Sequence, residues 1–468
     1  MPPLKDPGAV LLISCYELGR QPLALGSALA TLRSAGFAPA VLDLALERLE
    51  PDAVRRARCV AISVPMHTAL RLGARAAVRI RELNPDACIV FFGLYASLNA
   101  EYLLKQRGAT AIIGGEFETP LRRLIEALDR DDRADLPGVR TATHAAAPFL
   151  ERIPFAVPDR TLLPPLSRYV RLEVDGVTRV AGHVEASRGC LHLCRHCPIP
   201  PVYGGRFFVV PREVALADIA GQVRAGAEHI TFGDPDFLNG PGHAMALARA
   251  LHASWPSLSF DVTAKVEHIV RHADLLPELR SLGCLFIVSA VESNSARVLK
   301  ILDKGHAPDA IDTVLDLTRA AGIALRPTFV PFTPWTTLQD HRALLDLIVS
   351  RELEDQVDPV QMSIRLLVPP GSLLAEHPDF LPHRKALDED RFTWLWTHPD
   401  PRMDRLQREA SAIAERAAES AEDPVITFAR LASATEEMAG MPVTTRRRPP
   451  LARRDKGRAP RLTEPWFC

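Results

Sequence analysis

Two runs of short apolar segments, each alternating with amphipathic helical stretches, make up most of this 468-residue chain, and a proline-rich break separates them. Strands joined through helices run parallel and need helices on both faces, so the alternation restricts the chain to an α/β architecture. In the first run the expected strands are Val10–Ser14, Pro39–Leu44, Val60–Val64, Ile89–Phe92 and Thr110–Ile113, with helices at Pro22–Ser34, Thr68–Leu83 and Ser97–Lys105. In the second they are His183–Ser187, His229–Gly233, Ser259–Ala264, Leu285–Ala290, Ala324–Val330 and Val360–Leu366. Helices over Pro211–Ala225, Gly242–Ala253, Ile269–Leu282, Pro308–Ala320 and Leu338–Ser350 link these. The expected organisation is a Rossmann-like parallel sheet over 1–128, then a proline-rich linker over 129–181 with a small β element at Val170–Val180. A partial (β/α)6 barrel over 182–370 and a mostly helical region over 371–443, with a surface helix at Asp404–Ala421, complete the body. A basic tail over 444–468 ends Glu464-Pro465-Trp466-Phe467-Cys468. Sites on such sheets lie beyond the carboxyl ends of the strands.

Composition narrows the function classes. With 56 Lys+Arg against 57 Asp+Glu, there is no overall pull toward nucleic acid or anionic membrane. The basic tail carries no interleaved aromatics to stack on bases and reads as solvated, although its final Trp466-Phe467 pair is expected to dock. No apolar run approaches the roughly 20 residues of a membrane span, and the first residues lack a signal-peptide pattern. The expectation is a soluble cytoplasmic protein with a small-molecule or metalloid substrate, no membrane and no nucleic acid.

Of eight cysteines, Cys15, Cys59, Cys88 and Cys284 each sit singly in apolar runs and read as buried hydrophobes. Cys190, Cys194 and Cys197 form CxxxCxxC just after the first strand of the second run. Three thiolates can hold three irons of a [4Fe–4S] cluster and leave the fourth iron open for another ligand. A zinc site completed by His192 or His196 is one alternative, and a redox disulfide is another. Zinc ligands usually come as separated pairs, and the position after a β/α strand favours the cluster.

This placement resembles the radical S-adenosylmethionine (SAM) superfamily. The resemblance implies that SAM chelates the open iron and that electron transfer breaks a carbon–sulfur bond, usually yielding a 5′-deoxyadenosyl radical. A flavodoxin or ferredoxin-type reductase is then the expected electron donor. It also implies that His196 lies near the adenine and that Gly233-Asp234-Pro235 replaces the glycine-rich turn that meets the SAM amino group. Asp234 and Asp236 could instead cap the following segment. Thr263 and Lys265 share a side of the third strand end. Glu292 and Ser293, followed by Lys304-Gly305-His306, resemble a segment of radical SAM enzymes with cobalamin-binding-type domains. There Glu292 is expected at ribose hydroxyls and Arg326 at the SAM carboxylate, or alternatively in an ion pair with Glu292 or Asp261. Gln361, Ser363 and Arg365 share a face of the sixth expected strand.

The first domain resembles cobalamin-binding domains, including Gly114-Gly115-Glu116, which makes cobalamin an optional third cofactor. The Asp-x-His-x-x-Gly loop that would supply a cobalt ligand is absent. The closing Glu464-Pro465-Trp466-Phe467-Cys468, with Pro65-Met66-His67-Thr68 and Ile364–Ser372, resembles radical SAM (seleno)proteins with a CUAEP or CCAEP tail, although Arg461-Leu462 replaces the paired cysteines. One activity this implies is transfer of the SAM 3-amino-3-carboxypropyl group to trivalent arsenic in arsinothricin biosynthesis. Cobalamin-dependent radical methylation is a second, and a non-catalytic iron–sulfur protein is the reading from another class. The substrate, the bond broken, the role of Cys468 and the oligomeric state are not set by the sequence.

Overall fold

The structure is a computed structural model that describes residues 3–132, 135–441 and 458–464. Strands β1 (Val10–Ser14), β2 (Ala40–Asp43), β3 (Cys59–Ser63), β4 (Cys88–Phe92), β5 (Ala111–Ile113) and β6 (Val139–Arg140) form one sheet in the order β2-β1-β3-β4-β5-β6. All pairs are parallel except β5–β6. Every residue of β1 and β3 is buried, as helix-covered parallel strands require, and two apolar clusters fill the two faces. Cys15, Cys59 and Cys284 are buried within these layers and the second sheet, as expected of small hydrophobes.

The second sheet contains β7 (Arg171–Val174), β8 (Val177–Val184), β11 (His229–Phe232), β12 (Ser259–Thr263), β13 (Cys284–Glu292), β14 (Ala324–Phe329) and β17 (Arg461–Leu462). Between β8 and β11 the chain forms a separate antiparallel pair, β9 (Ser187–Gly189) with β10 (Phe207–Val209). The order β14-β13-β12-β11-β8-β7-β17 is parallel from β14 to β8 and antiparallel at the β7 and β17 edge. Apolar side chains of one face pack against the helices. The opposite face is polar in its lower layer. Thr231 Oγ1 donates to Asp261 Oδ1 at 2.6 Å, and the His229 ring bridges Asp261 and Ser259 at 2.9 Å each.

Three expectations are corrected. The first strand of the second run is not His183–Ser187 but Val177–Val184, paired as a hairpin with Arg171–Val174 around Asp175-Gly176. Both turn residues have positive φ (51° and 74°), the geometry that suits an Asp-Gly two-residue hairpin. The sixth strand does not form. Pro359–Ser363 is a 3-10 turn, and only Phe332 and Arg365 make a lone bridge. Pro359 removes a ladder donor, and the Gln361 side chain accepts from Phe329 N at 3.0 Å, satisfying the β14 edge without a neighbouring strand. Finally, the region after 371 contains a hairpin, β15 (Arg384–Asp388) with β16 (Thr393–Trp396), before helices Pro401–Glu419 and Pro424–Ala439. The first of these helices is the expected surface helix: it buries Met403, Leu406, Ala410 and Ile413 against the body and exposes Arg405, Arg408, Glu409 and Glu415. Residues 442–457 and Pro465–Cys468 lie outside the described residues. Residues 458–464 run along the β7 edge, where Arg461 pairs with Glu173 at 2.7 Å.

Candidate active site

The CxxxCxxC segment leaves the second sheet through β9. Gly189, immediately before Cys190, has φ +78°, and a Cβ there would overlap the Arg206 carbonyl oxygen, so only glycine fits this corner. Cys190 N donates to that same carbonyl at 3.1 Å. Asn239 holds the next residues, its Oδ1 lying 3.8 Å from the Cys190 sulfur and accepting from Leu191 N at 3.4 Å. Farther along, Arg195 ties the loop to the end of helix Ala296–Leu302. Its N–H donates to Leu302 O at 2.9 Å, and its guanidinium donates to Ile301 O at 2.8 Å and Lys300 O at 3.1 Å. A cation on the last carbonyls of a helix also meets the negative end of its dipole.

Cys190 and Cys197 share a partner in Cys194. Burial pushes Cys197 up to about 12, with Cys194 and Cys190 adding to the effect, and burial also raises Cys190. The resistance of Cys190 and Cys197 to ionisation suits metal coordination, which stabilises the thiolate. Among the described residues, the group of ligand atoms gathered within 4.8 Å of one another, as one ion requires, is His192, Asp236 and His268. The sulfurs are more widely spaced, which suits the corners of a cluster better than one zinc ion.

Beside the loop lies a charged group that closes the β13 end. Glu292 has φ 68°, costly for a residue with a Cβ, and it sits at a register shift between β13 and β14. Its Oε1 is 3.1 Å from His196 Nε2 and 3.2 Å from Lys304 Nζ. Burial alone would raise the Glu292 carboxyl, but Lys304 and then His196 outweigh it and bring it down to about 2. For Lys304, only 4% exposed, burial opposes the charge, while Glu292, Cys194 and Cys197 raise its pKa above the ordinary value. Lys304 is therefore a fixed positive charge between a carboxylate and two of the cysteines. It stands in the Lys304-Gly305-His306 segment but was not singled out from sequence. Asn239 and Arg195 had no signal there at all.

The other expected site residues are placed as follows. Asp234 accepts from Ser187 Oγ at 2.6 Å and Ala186 N at 2.8 Å, and burial raises it to about 7. Asp236 caps the following turn through Leu238 N, at 3.1 Å. Gly233 leaves room for the His183 ring, which a Cβ would strike. Lys265 Nζ is 3.0 Å from His192 Nδ1, and His192 Nε2 is 3.2 Å from His268 Nε2, whose Nδ1 lies 2.7 Å from Asp236. Ser293 Oγ accepts from Ser295 N at 3.1 Å. Arg326 pairs with Asp358 at 3.2 Å and donates to Pro460 O at 3.4 Å, rather than to Glu292 or Asp261. The structure thus brings His196 and Glu292 together at the cysteine loop, while Arg326 is held by Asp358 and the tail.

Residues 184–348 match the radical SAM superfamily. The chain carries this match over its second sheet, from the end of β8 to helix Leu338–Ser350. It is 22% identical over 293 residues, 59% of the chain, to a protein of Methanocaldococcus jannaschii described as a candidate methylthiotransferase. The chain spans 61% of that relative's length. Its fold is similar to that of the radical SAM methyltransferase TsrM from Kitasatospora setae, solved with cobalamin and a [4Fe–4S] cluster. That match has a TM-score of 0.60 and 20% identity, covering 73% of this chain and 70% of TsrM. The cobalamin-dependent radical SAM enzyme OxsB matches with a TM-score of 0.72 and 16% identity, over 92% of this chain and 71% of OxsB. The comparisons accord with a parallel sheet followed by a partial barrel. Among the described residues, no helix is long and apolar enough to cross a membrane.

Proposed function

We propose that the chain holds a [4Fe–4S] cluster through Cys190, Cys194 and Cys197 and uses it to cleave SAM reductively and modify a small molecule. The observation that carries this reading is the placement of the three thiols in one loop after β9, beside the carboxyl end of β13, clamped by Asn239 and Arg195 and faced by Lys304. Bound there, the cluster would supply the electron that breaks a carbon–sulfur bond of SAM. The protein's part is electrostatic and positional. Lys304 offsets negative charge at Cys194 and Cys197, Glu292 fixes Lys304 and His196, and Gly189 sets the direction in which Cys190 leaves the strand. Lys265, Ser293, Gly233, Asp234 and Arg326 remain proposed contacts of SAM, with Arg326 available to it only on leaving Asp358. A reductase of flavodoxin or ferredoxin type would supply the electron.

Cobalamin-dependent methylation is the second reading, favoured by the fold likeness to TsrM and OxsB. The described residues do not fit a corrin as they stand. The cavity between the two sheets is about 310 Å³, at the lower end for a small ligand. Contacts of Glu116, after β5, with Arg188 (3.2 Å) and Tyr203 (3.0 Å), two residues of its wall, tie the first sheet to the segment that carries the cysteines. Carboxypropyl transfer to trivalent arsenic would call for thiolates near the substrate. Among the described cysteines outside the triplet none lines that cavity, and Cys284 begins β13 at the far end. Anaerobic reconstitution tests the proposal. Reduced enzyme given SAM should release 5′-deoxyadenosine, or methylthioadenosine if the carboxypropyl group is transferred. Release of neither, together with an EPR spectrum that SAM leaves unchanged, would exclude it.

A further inference from the structure

The cavity between the two sheets contains polar groups that the cluster site does not use. It lies beyond the carboxyl ends of β3 and β4 on one side and of β8 and β11 on the other, where open parallel sheets bind ligands. Gly189, the residue before Cys190, is part of its wall, so it adjoins the cysteine loop. Among the described residues, three of its side chains keep buried polar atoms without a hydrogen-bond partner: Ser63 Oγ, Arg20 Nε and both ring nitrogens of His183. His183 is 8% exposed and Ser63 1%. Buried polar atoms are rarely left unpaired, and several converging on one cavity mark a place for a ligand.

The charges indicate what kind of ligand. Arg188 is already committed to Glu116, Glu118 and Glu185. Arg20, whose side chain enters from the loop after β1, is a cation with a free donor. Opposite charge comes from Glu17 and Glu185, both in the cavity wall. Glu17 accepts from Leu23 N at 3.0 Å, yet burial still pushes it up to about 8, which a neighbouring ammonium group would reverse. Pro65, Met66, Phe92 and Leu94 supply an apolar wall. A volume of about 310 Å³ is the size of one small molecule.

We infer that this cavity is the substrate pocket and that it takes a free α-amino acid, with its carboxylate on Arg20, its ammonium group at Glu17 and Glu185, and its side chain against the apolar wall. This rests on the radical SAM reading, which supplies the chemistry next door. The methionyl end of SAM carries the same head group, so the test has to separate the two.

The test uses the full-length enzyme with its cluster reconstituted, saturated with SAM, and titrated calorimetrically with each of the twenty common L-amino acids. At least one should bind with SAM present. Its decarboxylated and deaminated analogues should each bind about 10- to 100-fold more weakly, the range expected when a charge-assisted hydrogen bond is lost. Arg20→Met should cost the deaminated analogue its affinity and leave the decarboxylated one unchanged, and Glu17→Gln should do the opposite. A misfolded variant cannot produce that crossover. Three results overturn the inference: no amino acid binds, SAM abolishes the binding competitively, or hydroxocobalamin binds at one equivalent with shifted visible bands. Iron content and the EPR response to SAM of the unmodified enzyme report on the radical SAM reading separately, and either can succeed while the amino acid fails.

Discussion

Replacing Lys304 with Met isolates the role of the buried charge beside the cysteine loop. Met keeps most of the volume and removes the ammonium group. In the folded protein the Glu292 carboxyl lies at about 2, against an ordinary value of 4.5. That difference of about 2.5 units, produced by Lys304 and His196 against burial, corresponds to about 3.5 kcal/mol at about 1.4 kcal/mol per unit. It agrees with the roughly 3–5 kcal/mol lost when one partner of a buried ion pair is deleted. The sign with pH follows. A carboxyl depressed by folding stabilises above its unfolded pKa, so in the native protein this contribution is complete above about pH 4.5 and is lost as pH falls toward about 2. In Lys304→Met, burial becomes the dominant influence on Glu292 and raises its pKa. The variant should then gain stability, relative to the native protein, as pH falls from 8 to 5.

Urea unfolding followed by tryptophan fluorescence is the assay, because Trp335 and Trp396 pack with Ile301 and Leu302, at the end of the helix that leads to Lys304. The variant should be about 3 kcal/mol less stable at pH 7, and Glu292→Gln added to it should recover part of the loss, since a neutral amide tolerates burial better than a lone carboxylate. A loss below about 0.5 kcal/mol, the scale of an uninvolved surface change, or an unchanged pH slope between the two proteins, would refute the reasoning.

Other substitutions test the remaining supports. Gly189→Ala forces a Cβ onto the Arg206 carbonyl at a left-handed φ, so iron bound per chain after reconstitution should fall several-fold while the far-ultraviolet circular dichroism stays unchanged. Cys194→Ala should abolish cluster iron and the associated visible absorbance; full iron loading of that variant would show that the triplet is not the ligand set. Gly19→Ala places a Cβ 2.6 Å from Glu464 Oε2, disturbing the Tyr16–Glu464 hydrogen bond of 2.8 Å, so amide hydrogen exchange in 461–463 should accelerate.

The parts of the fold that were legible in sequence are those fixed by local periodicity. The parallel strands of the first sheet, and the cysteine triplet after the first strand of the second, fall where hydrophobic alternation and spacing put them. What was missed depends on contacts distant in sequence. Val360–Leu366 has the composition of a strand, yet the Gln361 amide takes the place of the backbone ladder, and no one-dimensional pattern distinguishes the two. The hairpin around Asp175-Gly176 lies at the β element expected over Val170–Val180, but its second strand runs on to Val184 and opens the parallel run. Asn239 and Arg195 are polar residues in ordinary surroundings, and only the folded chain shows that they hold the loop. Lys304 lies in the Lys304-Gly305-His306 segment, but its importance comes from burial beside Glu292, which sequence does not reveal.

The same long-range contacts bear on how the cysteine loop keeps its shape. Its first cysteine is fixed by Arg206 and Asn239, which precede and follow β11 within the superfamily match. Its middle is held from farther away. The Arg195 carbonyl accepts from Leu374 N and Ser372 Oγ, both at 3.1 Å, and these residues lie beyond the matched stretch that ends at 348. Leu374 in turn packs with Trp335, Phe380 and Trp396, and Trp396 Nε1 donates to Leu366 O at 2.9 Å. The region after the barrel is therefore wired to the cysteine loop through one residue, Arg195. A loop that must present three thiols at fixed spacing gains rigidity from a segment beyond the matched stretch, because a functional constellation tolerates errors of only about half an ångström.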